Sequence, residues 1–500
     1  MPPHAPSSTW PRRVALALCV VAALRVLLVV APAPMRGYAN NYDFIRVAAW
    51  FDLWPVAPPG ATRFDPLAQH PSAPLRCHRV DPAITSDTRY ASSDLALVWL
   101  ALRVNDAWRA VSGPSACPVD LRVVGLLRAA LLLAAGLATT WLFLRRAPAA
   151  GVASALLLAV VLSDPAVSLT MNTLYGEFAV ILFTYVAGAG LVYAIGYAAF
   201  GVAPGALLGA ALLALACTKT QYAALPVALV AVLALGAACV RGGTTRSRRV
   251  ATLLLATAGV VAGLALQRSV MSGGSYMWAS RMATATDTFF GAVLPLHADP
   301  DRALRLAGLP ERCRPYVGRT WYDEGMQPPP CPEVADVARA RILLLLADDP
   351  MLGVRLARRA LPLLQPIVIR AFGQVEGLDY AQADALPRSG IVSVSTLVEA
   401  LPKPLFAALV AFTLLVSGVA VADLVRGGTD AALPALVLVC AAVEAYAFAS
   451  ALFGDGFVGL ARHALVGQLA FVVQLGAGTA QIVRVVRRGR ATGRAAAYSV

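Results

Sequence analysis

The sequence predicts an all-α protein that crosses a membrane about ten times and carries two large extracytoplasmic loops with amphipathic surface helices. Three observations predict it. The chain of 500 residues is 58% hydrophobic and only 14% charged, where soluble domains carry roughly 25% charged residues. Its mean hydropathy is +0.67. Apolar runs of spanning length recur along it.

Those runs lie at 14–33, 123–144, 147–163, 178–198, 204–217, 222–240, 250–267, 404–425, 431–452 and 464–483. The third and fifth are short. The first ends in Ala31-Pro32-Ala33, a small-residue pattern like a signal-peptide cleavage site. That run is long for a signal peptide, Arg25 interrupts it and Pro34 would follow the cut, so a retained helix is expected.

The basic residues set the orientation. Arg12, Arg13, Arg145, Arg146, Arg241, Arg246, Arg248, Arg249 and Arg426 fall in every second connection, and Arg484, Arg487, Arg488, Arg490 and Arg494 follow the last run. Both termini are then expected in the cytoplasm. The other side is electrically neutral: segment 34–121 has eight Arg and eight Asp, and segment 268–402 has fourteen Arg and fourteen acids. The net charge of +14 is therefore a topology signal and argues against nucleic acid as a partner. Lysine is nearly absent, with Lys219 and Lys403 against 40 Arg.

Three regions follow: an N-terminal transmembrane module 1–267 with its outer loop 34–121, a large outer loop region 268–402, and C-terminal helices with a basic tail over 403–500. Short cytoplasmic connections place the chemistry outside. In the first loop, "YANNYDFIRVAAWFDLW" spaces Phe44, Val47, Ala48 and Phe51 as a surface helix, and "SSDLALVWLALRVNDAWRAV" reads as a second, with Ser92 or Ser93 as N-cap. In the second loop, "DPMLGVRLARRALPLLQPIVIRAF" mixes aliphatics with Arg355, Arg358, Arg359 and Arg370, too costly for a span and suited to an interfacial helix. Cys77 and Cys117 share the first loop, Cys313 and Cys331 the second. Two per outer loop points to two disulfides, with pairing inside each loop the simplest of three arrangements. Cys19, Cys217, Cys239 and Cys440 lie in spans.

Polar groups beside apolar runs are the candidate site. "MNTLYGEF" places Asn172, Tyr175 and Glu177 between the third and fourth runs, where an ionisable group is costly and functional by default. Its plain reading is a helix-start acid with a belt tyrosine. Asp43, within Asn40, Asn41, Tyr42 and Arg46, is a second acid at the outer surface. A partly desolvated acid there can act as a general base, orient an acceptor hydroxyl or hold a metal. Lys219 in "CTKTQY", Arg281, and Arg462 with His463 in "ARH" face the same side and can meet a lipid phosphate. Each has the plainer reading of a snorkelling interface residue. Tyr42, Tyr175, Trp278 and Trp321 can stack on sugar rings or serve as belt and core aromatics.

One span, a large outer loop with surface helices and an early Asp together resemble the GT-C superfamily of membrane glycosyltransferases. Three stretches look more narrowly like the WsfD-type hexose transferases of glycan biosynthesis: "TLYGEFAVILF", "TFFGAVLPLHADPDRALRLAGLP" with the following "GRTWYD", and "GLARHALVGQLAF". "NNYDFIRV" and "TKTQYAALP" fit the same pattern. The resemblance implies transfer of a sugar from a polyprenyl-phosphate donor to a glycan or lipid-linked acceptor, outside the bacterial inner membrane and with inversion. It implies Asp43 as base or orienting group and Glu177 as the second acid. The lone Asp, in place of an adjacent acidic pair, leaves a divalent metal in question, with Lys219 and Arg462 as the alternative partners of a single phosphate. A flippase for lipid-linked saccharides, an O-antigen ligase or polymerase, and a structural subunit are the competing functions; the first usually shows repeated halves, which this chain lacks.

Overall fold

The computed structural model describes residues 9–39, 44–56, 75–80, 89–113, 117–240, 244–271, 274–368, 374–376, 393–427 and 430–497. Asp43, with Asn40, Asn41 and Tyr42, lies outside them, as do His70 and Arg370. In chain order the first half forms α1 (Trp10–Val30), α2 (Phe44–Ala48), α3 (Asp94–Ser112), α4 (Leu121–Leu144), α5 (Pro148–Leu157, continued as a π-turn over Leu158–Leu162), α6 (Pro165–Ser168), α7 (Glu177–Gly196), α8 (Val202–Ala216), α9 (Leu225–Cys239) and α10 (Arg246–Met271). The second half forms α11 (Gly274–Thr288), α12 (Pro300–Ala307), α13 (Arg341–Asp348), α14 (Pro350–Leu364), α15 (Val394–Glu399), α16 (Lys403–Val425), α17 (Ala432–Asp455) and α18 (Leu460–Ala497), with short 3₁₀ and π turns between them.

Among the described residues eight helices are long and apolar enough to cross a membrane, where the sequence predicts ten spans. The two that fall short are Pro148–Leu162 and Val202–Ala216, the third and fifth of the expected runs. Fifteen residues rise only about 22 Å, against a hydrocarbon core of about 30 Å. The chain leaves both helices early, into segments that are buried. Ser163, Asp164, Ser168, Thr170, Asn172 and Thr173 after α5, and Thr218 and Lys219 after α8, are all inaccessible to solvent. The expected short outer loop at 164–177 is thus part of the interior.

Small residues let α8 sit directly on α10. A Cβ on Gly209 would lie 2.5 Å from the Leu255 oxygen, and one on Gly259 2.1 Å from the Gly209 oxygen. Gly205 with Gly209 and Gly259 with Gly263 are two small-xxx-small pairs in facing helices, a packing device of membrane bundles.

The first loop departs from an all-α description. It contains a three-stranded antiparallel sheet of β1 (Leu53–Pro55), β2 (Cys77–Val80) and β3 (Val119–Asp120) in the order β1-β2-β3, pairing Leu53 with Val80 and Cys77 with Asp120. The Cys77–Cys117 disulfide ties the central strand to the chain entering β3. The expected surface helix near residue 44 is the five-residue α2, and Phe44, Ile45, Val47 and Ala48 are all buried. Apolar residues on every side of so short a helix favour a core position over a membrane surface. Tyr38, Leu53, Trp54, Val98, Leu174 and Tyr175 complete that core. The second expected helix, α3, buries Val98, Ala101, Leu102 and Asn105 and exposes Trp99, Leu100, Val104, Trp108 and Val111. The Ser92 hydroxyl, not Ser93, serves its start: it accepts from the Asp94 amide at 3.2 Å.

The large second loop has its own core around Phe289, Phe290, Leu304, Leu345 and Leu356, closed by the Cys313–Cys331 disulfide. α14 is amphipathic, burying Leu352, Leu356, Ala360 and Leu364, and it packs on α18. The helix ends at Leu364, short of the stretch expected from the sequence.

One buried ion pair anchors the segment between α5 and α7. Arg128 of α4 is fully buried, and its Nη2 donates to Asp94 Oδ2 at 2.6 Å. Its Nη1 faces the carbonyls of Thr170 and Met171 at 3.3 and 3.1 Å and that of Thr173 more closely still. Breaking a buried pair from one side strands the other charge, at a cost of roughly 3–5 kcal/mol. Arg128→Met is therefore expected to lower the thermal midpoint sharply. The double variant Asp94→Leu with Arg128→Met should lose clearly less, because neither charge is then stranded. Thermal unfolding of the purified full chain in detergent measures both, and equal losses would refute the pair as the anchor.

Candidate functional site

Three chain segments meet beside that anchor. The first is "MNTLYGEF". Asn172 Nδ2 donates to the carbonyls of Val30 at 3.0 Å and Arg36 at 2.7 Å. The Asn172 side chain fills the space above Gly125, where a Cβ would come within 1.7 Å of its Oδ1. Tyr175 Oη donates to the Ala39 carbonyl at 2.9 Å. The loop thus fixes the backbone that leads from α1 towards Asp43. Asn172 is fully buried; its amide nitrogen is spent on this scaffold, and its Oδ1 has no hydrogen-bond partner among the described residues.

Glu177 opens α7, where the helix dipole favours an acid. Lys219 Nζ approaches Glu177 Oε1 at 3.1 Å, and Arg462 Nε donates to the same oxygen at 3.2 Å. Glu177 Oε2 is buried without a partner. Lys219 stands in extended backbone between α8 and the 3₁₀ turn Thr220–Tyr222, and Arg462 in the first turn of α18. The Arg462 guanidinium also lies over the Tyr175 ring, 5.4 Å from its centroid. That ring is therefore covered by a cation and not open to a sugar. As placed, Glu177 is the shared counter-ion of two buried cations, an arrangement that stabilises its charged form.

His463 follows directly. Its Nε2 lies 2.6 Å from Asp455 Oδ2 and its Nδ1 2.9 Å from Gln221 Oε1. The Gln221 amide is oriented by donating Nε2 to the His463 carbonyl at 2.8 Å, so its oxygen is the end that meets the ring. Both ring nitrogens then face acceptors, which suits the doubly protonated imidazolium. Tyr222 Oη also donates to the His463 carbonyl, and Tyr446 Oη to the Gln221 carbonyl at 2.7 Å.

The third segment is the entry to α3. The Thr220 amide donates to Tyr90 Oη at 2.6 Å, Tyr90 Oη donates to Gln267 Oε1 at 3.2 Å, and Ser92 Oγ donates to the Thr218 carbonyl at 2.7 Å. Arg46 of α2 lies over the Tyr90 ring at 5.7 Å and donates to Ser280 Oγ at 3.3 Å. The first loop, the Lys219 turn and α11 are joined here.

Asp287 ends α11 at this junction. A Cβ on Gly456, at a left-handed φ of +63°, would lie 2.1 Å from the Asp287 carbonyl oxygen. The Asp455–Gly456 corner therefore rests on Asp287. Asp287 Oδ1 accepts from the Trp321 amide at 2.7 Å. Burial pushes the Asp287 carboxyl up to about 8, with Asp455 and Asp323 adding to the shift against the Trp321 hydrogen bond.

The structure thus brings together Asn172, Tyr175, Glu177, Lys219, Arg462 and His463. Arg281 and Trp278 are exposed on α11. Sequence reading missed Asp94, Arg128, Asp287, Asp455, Tyr90 and Gln221. For Arg128 a signal was present, since it is a lone charge inside an apolar run. Among the described residues, one set of three metal-type side chains has converging ligand atoms, Cys313, Cys331 and Glu333. Those cysteines are disulfide-bonded and Glu333 pairs with Arg312, so the set is not a metal centre. A cavity of about 480 Å³ lies at the other end of α9, lined by Ala234, Ala237, Thr244, Arg246 and Arg249 among others. The acid and cations described above do not line it.

No family model matches the chain, and no curated protein matches it. Among solved structures it is similar to the archaeal oligosaccharyltransferase AglB from Archaeoglobus fulgidus, determined in complex with an inhibitory peptide and a dolichol-phosphate. The TM-score is 0.41 at 14% identity, over 98% of this chain and 52% of that one. The chain thus spans about half the length of that protein, and a likeness at this score carries no argument about activity.

Asp287 yields a pH test. Burial pushes its carboxyl up to about 8 in the folded chain, from 3.8 in the free side chain, so between these values the folded state holds the extra proton. Its stabilising contribution is complete below about pH 4 and is lost as pH rises through about 8. Asp287→Asn should flatten that part of the profile. Thermal midpoints of parent and variant between about pH 5 and 9 measure it; identical slopes would refute the assignment.

Proposed function

We propose that the chain is an integral-membrane glycosyltransferase of GT-C type. It transfers a sugar, a hexose in the narrower WsfD-type reading, from a polyprenyl-phosphate donor to a glycan or lipid-linked acceptor on the extracytoplasmic face. The observation that carries the reading is the convergence of Lys219 and Arg462 on one buried carboxylate oxygen, next to the loop whose Tyr175 holds Ala39, four residues before Asp43. Two fixed cations at the end of apolar helices suit one lipid phosphate. The scattered motifs that resemble GT-C enzymes contain these same residues.

In this reading Asp43 accepts the proton of, or orients, the acceptor hydroxyl. That oxygen attacks the anomeric carbon from the face opposite the phosphate, so configuration inverts. The bond from that carbon to the phosphate oxygen breaks, and the departing phosphate takes the electron pair. Lys219 and Arg462 stabilise this charge as it grows, with His463 as the adjacent imidazolium. Glu177 keeps the cations ordered, a positioning role rather than that of a second catalytic acid. A divalent metal is not required by this charge balance.

The test compares glycans from cells carrying the wild type, a deletion, Asp43→Asn and Lys219→Met at matched protein levels. Loss of the same sugar in all three altered strains is expected. In a purified assay Lys219→Met should lower kcat by about 10²–10³-fold, the scale of removing one donor to a developing oxyanion. Tyr175→Phe keeps the ring under Arg462 but releases Ala39, so kcat should fall while KM for the donor stays near the parent value. Glycans that change in the deletion alone would favour a flippase or scaffold instead.

A further inference from the structure

The C-terminal helices bury a second set of polar side chains that the glycosyltransferase reading does not use. Glu444 lies in the middle of α17 and is 6% exposed. Among the described residues no Lys, Arg or His forms an ion pair with it. Thr413 of α16 meets it: Thr413 Oγ1 stands 3.1 Å from Glu444 Oε1 and 2.7 Å from the Val410 carbonyl oxygen. A threonine hydroxyl has one hydrogen. A carbonyl oxygen can only accept, so while that hydrogen stays on the shorter contact, the contact to Glu444 is a hydrogen bond only if the carboxyl supplies the hydrogen. A carboxylate would have to draw the threonine hydrogen away from the Val410 carbonyl, and it would still lie in apolar surroundings without a cation, a costly arrangement.

The neighbourhood agrees. Gln474 of α18 donates Nε2 to the Thr413 carbonyl at 2.9 Å and to Ser417 Oγ at 2.8 Å, which leaves no donor of that amide for Glu444. Of the helices packed on α17, α7, α16 and α18 carry their charged residues away from mid-helix: Glu177 on α7, Lys403 and Asp423 on α16, Arg462 and His463 at one end of α18 and Arg484, Arg487, Arg488, Arg490 and Arg494 towards the other; α11 carries the exposed Arg281 at its middle and Asp287 in its last turn, and α9 carries none. Cys440, one turn earlier on α17, is the ionisable group that interacts with Glu444.

Glu444 also belongs to a row. Gln468, Gln474 and Gln481 are buried along α18. Gln468 donates to the Leu364 and Pro366 carbonyls at one end. Gln481 donates to Asp423 Oδ2 at 2.6 Å at the other, where Arg484 also binds that acid. From Gln468 to Arg484 the helix rises roughly 24 Å, most of the thickness of a hydrocarbon core. Glu444 Oε2 and the Oε1 atoms of Gln468, Gln474 and Gln481 are buried acceptors without partners. The row offers acceptors for hydrogen, and Glu444 is its acid.

We propose that Glu444 is a proton-binding site within the helix bundle, occupied at neutral pH, with the bound proton donated to Thr413 Oγ1. Its ligand is a proton, and it is separate from the Glu177 cluster and independent of the glycosyltransferase reading. Glu444→Gln can replace the acid, since its amide N–H donates to Thr413 in the same way. Infrared spectra of the full chain, wild type minus Glu444→Gln, read the site at neutral pH. The expected difference is the carbonyl stretch of a protonated carboxylic acid, present in the wild type and absent in the variant, at an unchanged thermal midpoint. A difference confined to carboxylate bands would overturn the proposal. Thr413→Val is the second variant: it removes the acceptor and should raise the frequency of the same carbonyl band. An unmoved band there would overturn it too.

Discussion

The candidate site depends on a guanidinium that holds its backbone and pairs with none of its charged groups. Arg128 is fully buried on α4 and ties Asp94 of α3 to three backbone carbonyls within 170–173. A segment of irregular chain at membrane depth has carbonyls that neither water nor a helix can satisfy. Arg128 supplies the donors, and Asp94 supplies the charge that makes its burial tolerable. Once that segment is held, Asn172 and Tyr175 hold the backbone after α1, and Glu177 gathers Lys219 and Arg462. The order of cause runs from one buried ion pair to the next.

Much of this site was legible in the sequence, but for one reason only. Asn172, Tyr175, Glu177, Lys219, Arg462 and His463 stand out because polar residues beside apolar runs are costly. The same logic applied to Arg128 would have found the anchor, but the run around it is long enough to hide a single charge. Asp94 is invisible for a different reason: it sits where any helix start favours an acid. Asp287 acquires its character from burial beneath a corner 168 positions away in sequence, by the contact of Gly456 on the Asp287 backbone. Spacing along one helix holds no trace of that.

The fold shows the same division. Long apolar runs gave the eight spanning helices, and the two runs that looked short are the two that fall short. The β-sheet was not legible. Its strands are two to four residues long, show no alternation of apolar and polar residues, and pair across the disulfide of the first loop. α2 failed as a surface helix because its apolar residues surround it; the helical spacing was right and the inference about its setting was not. The facing glycines of α8 and α10 could have been read, since two small-xxx-small pairs stand in plain view.

The two short helices have a consequence for where a lipid-borne substrate is met. Each falls about 8 Å short of the hydrocarbon thickness, and each ends at the segment that carries Glu177 or Lys219. If these helices lie in a bilayer, the apolar slab they present at the site is thinner than that of the longer helices around it, a case of hydrophobic mismatch settled by the protein. Under the proposed reading, the two cations lie below the plane of the neighbouring headgroups. A prenyl tail can then remain among the acyl chains while its phosphate enters the protein from the side. In that reading the protein sinks its charges to the depth of the lipid instead of lifting the lipid to meet them.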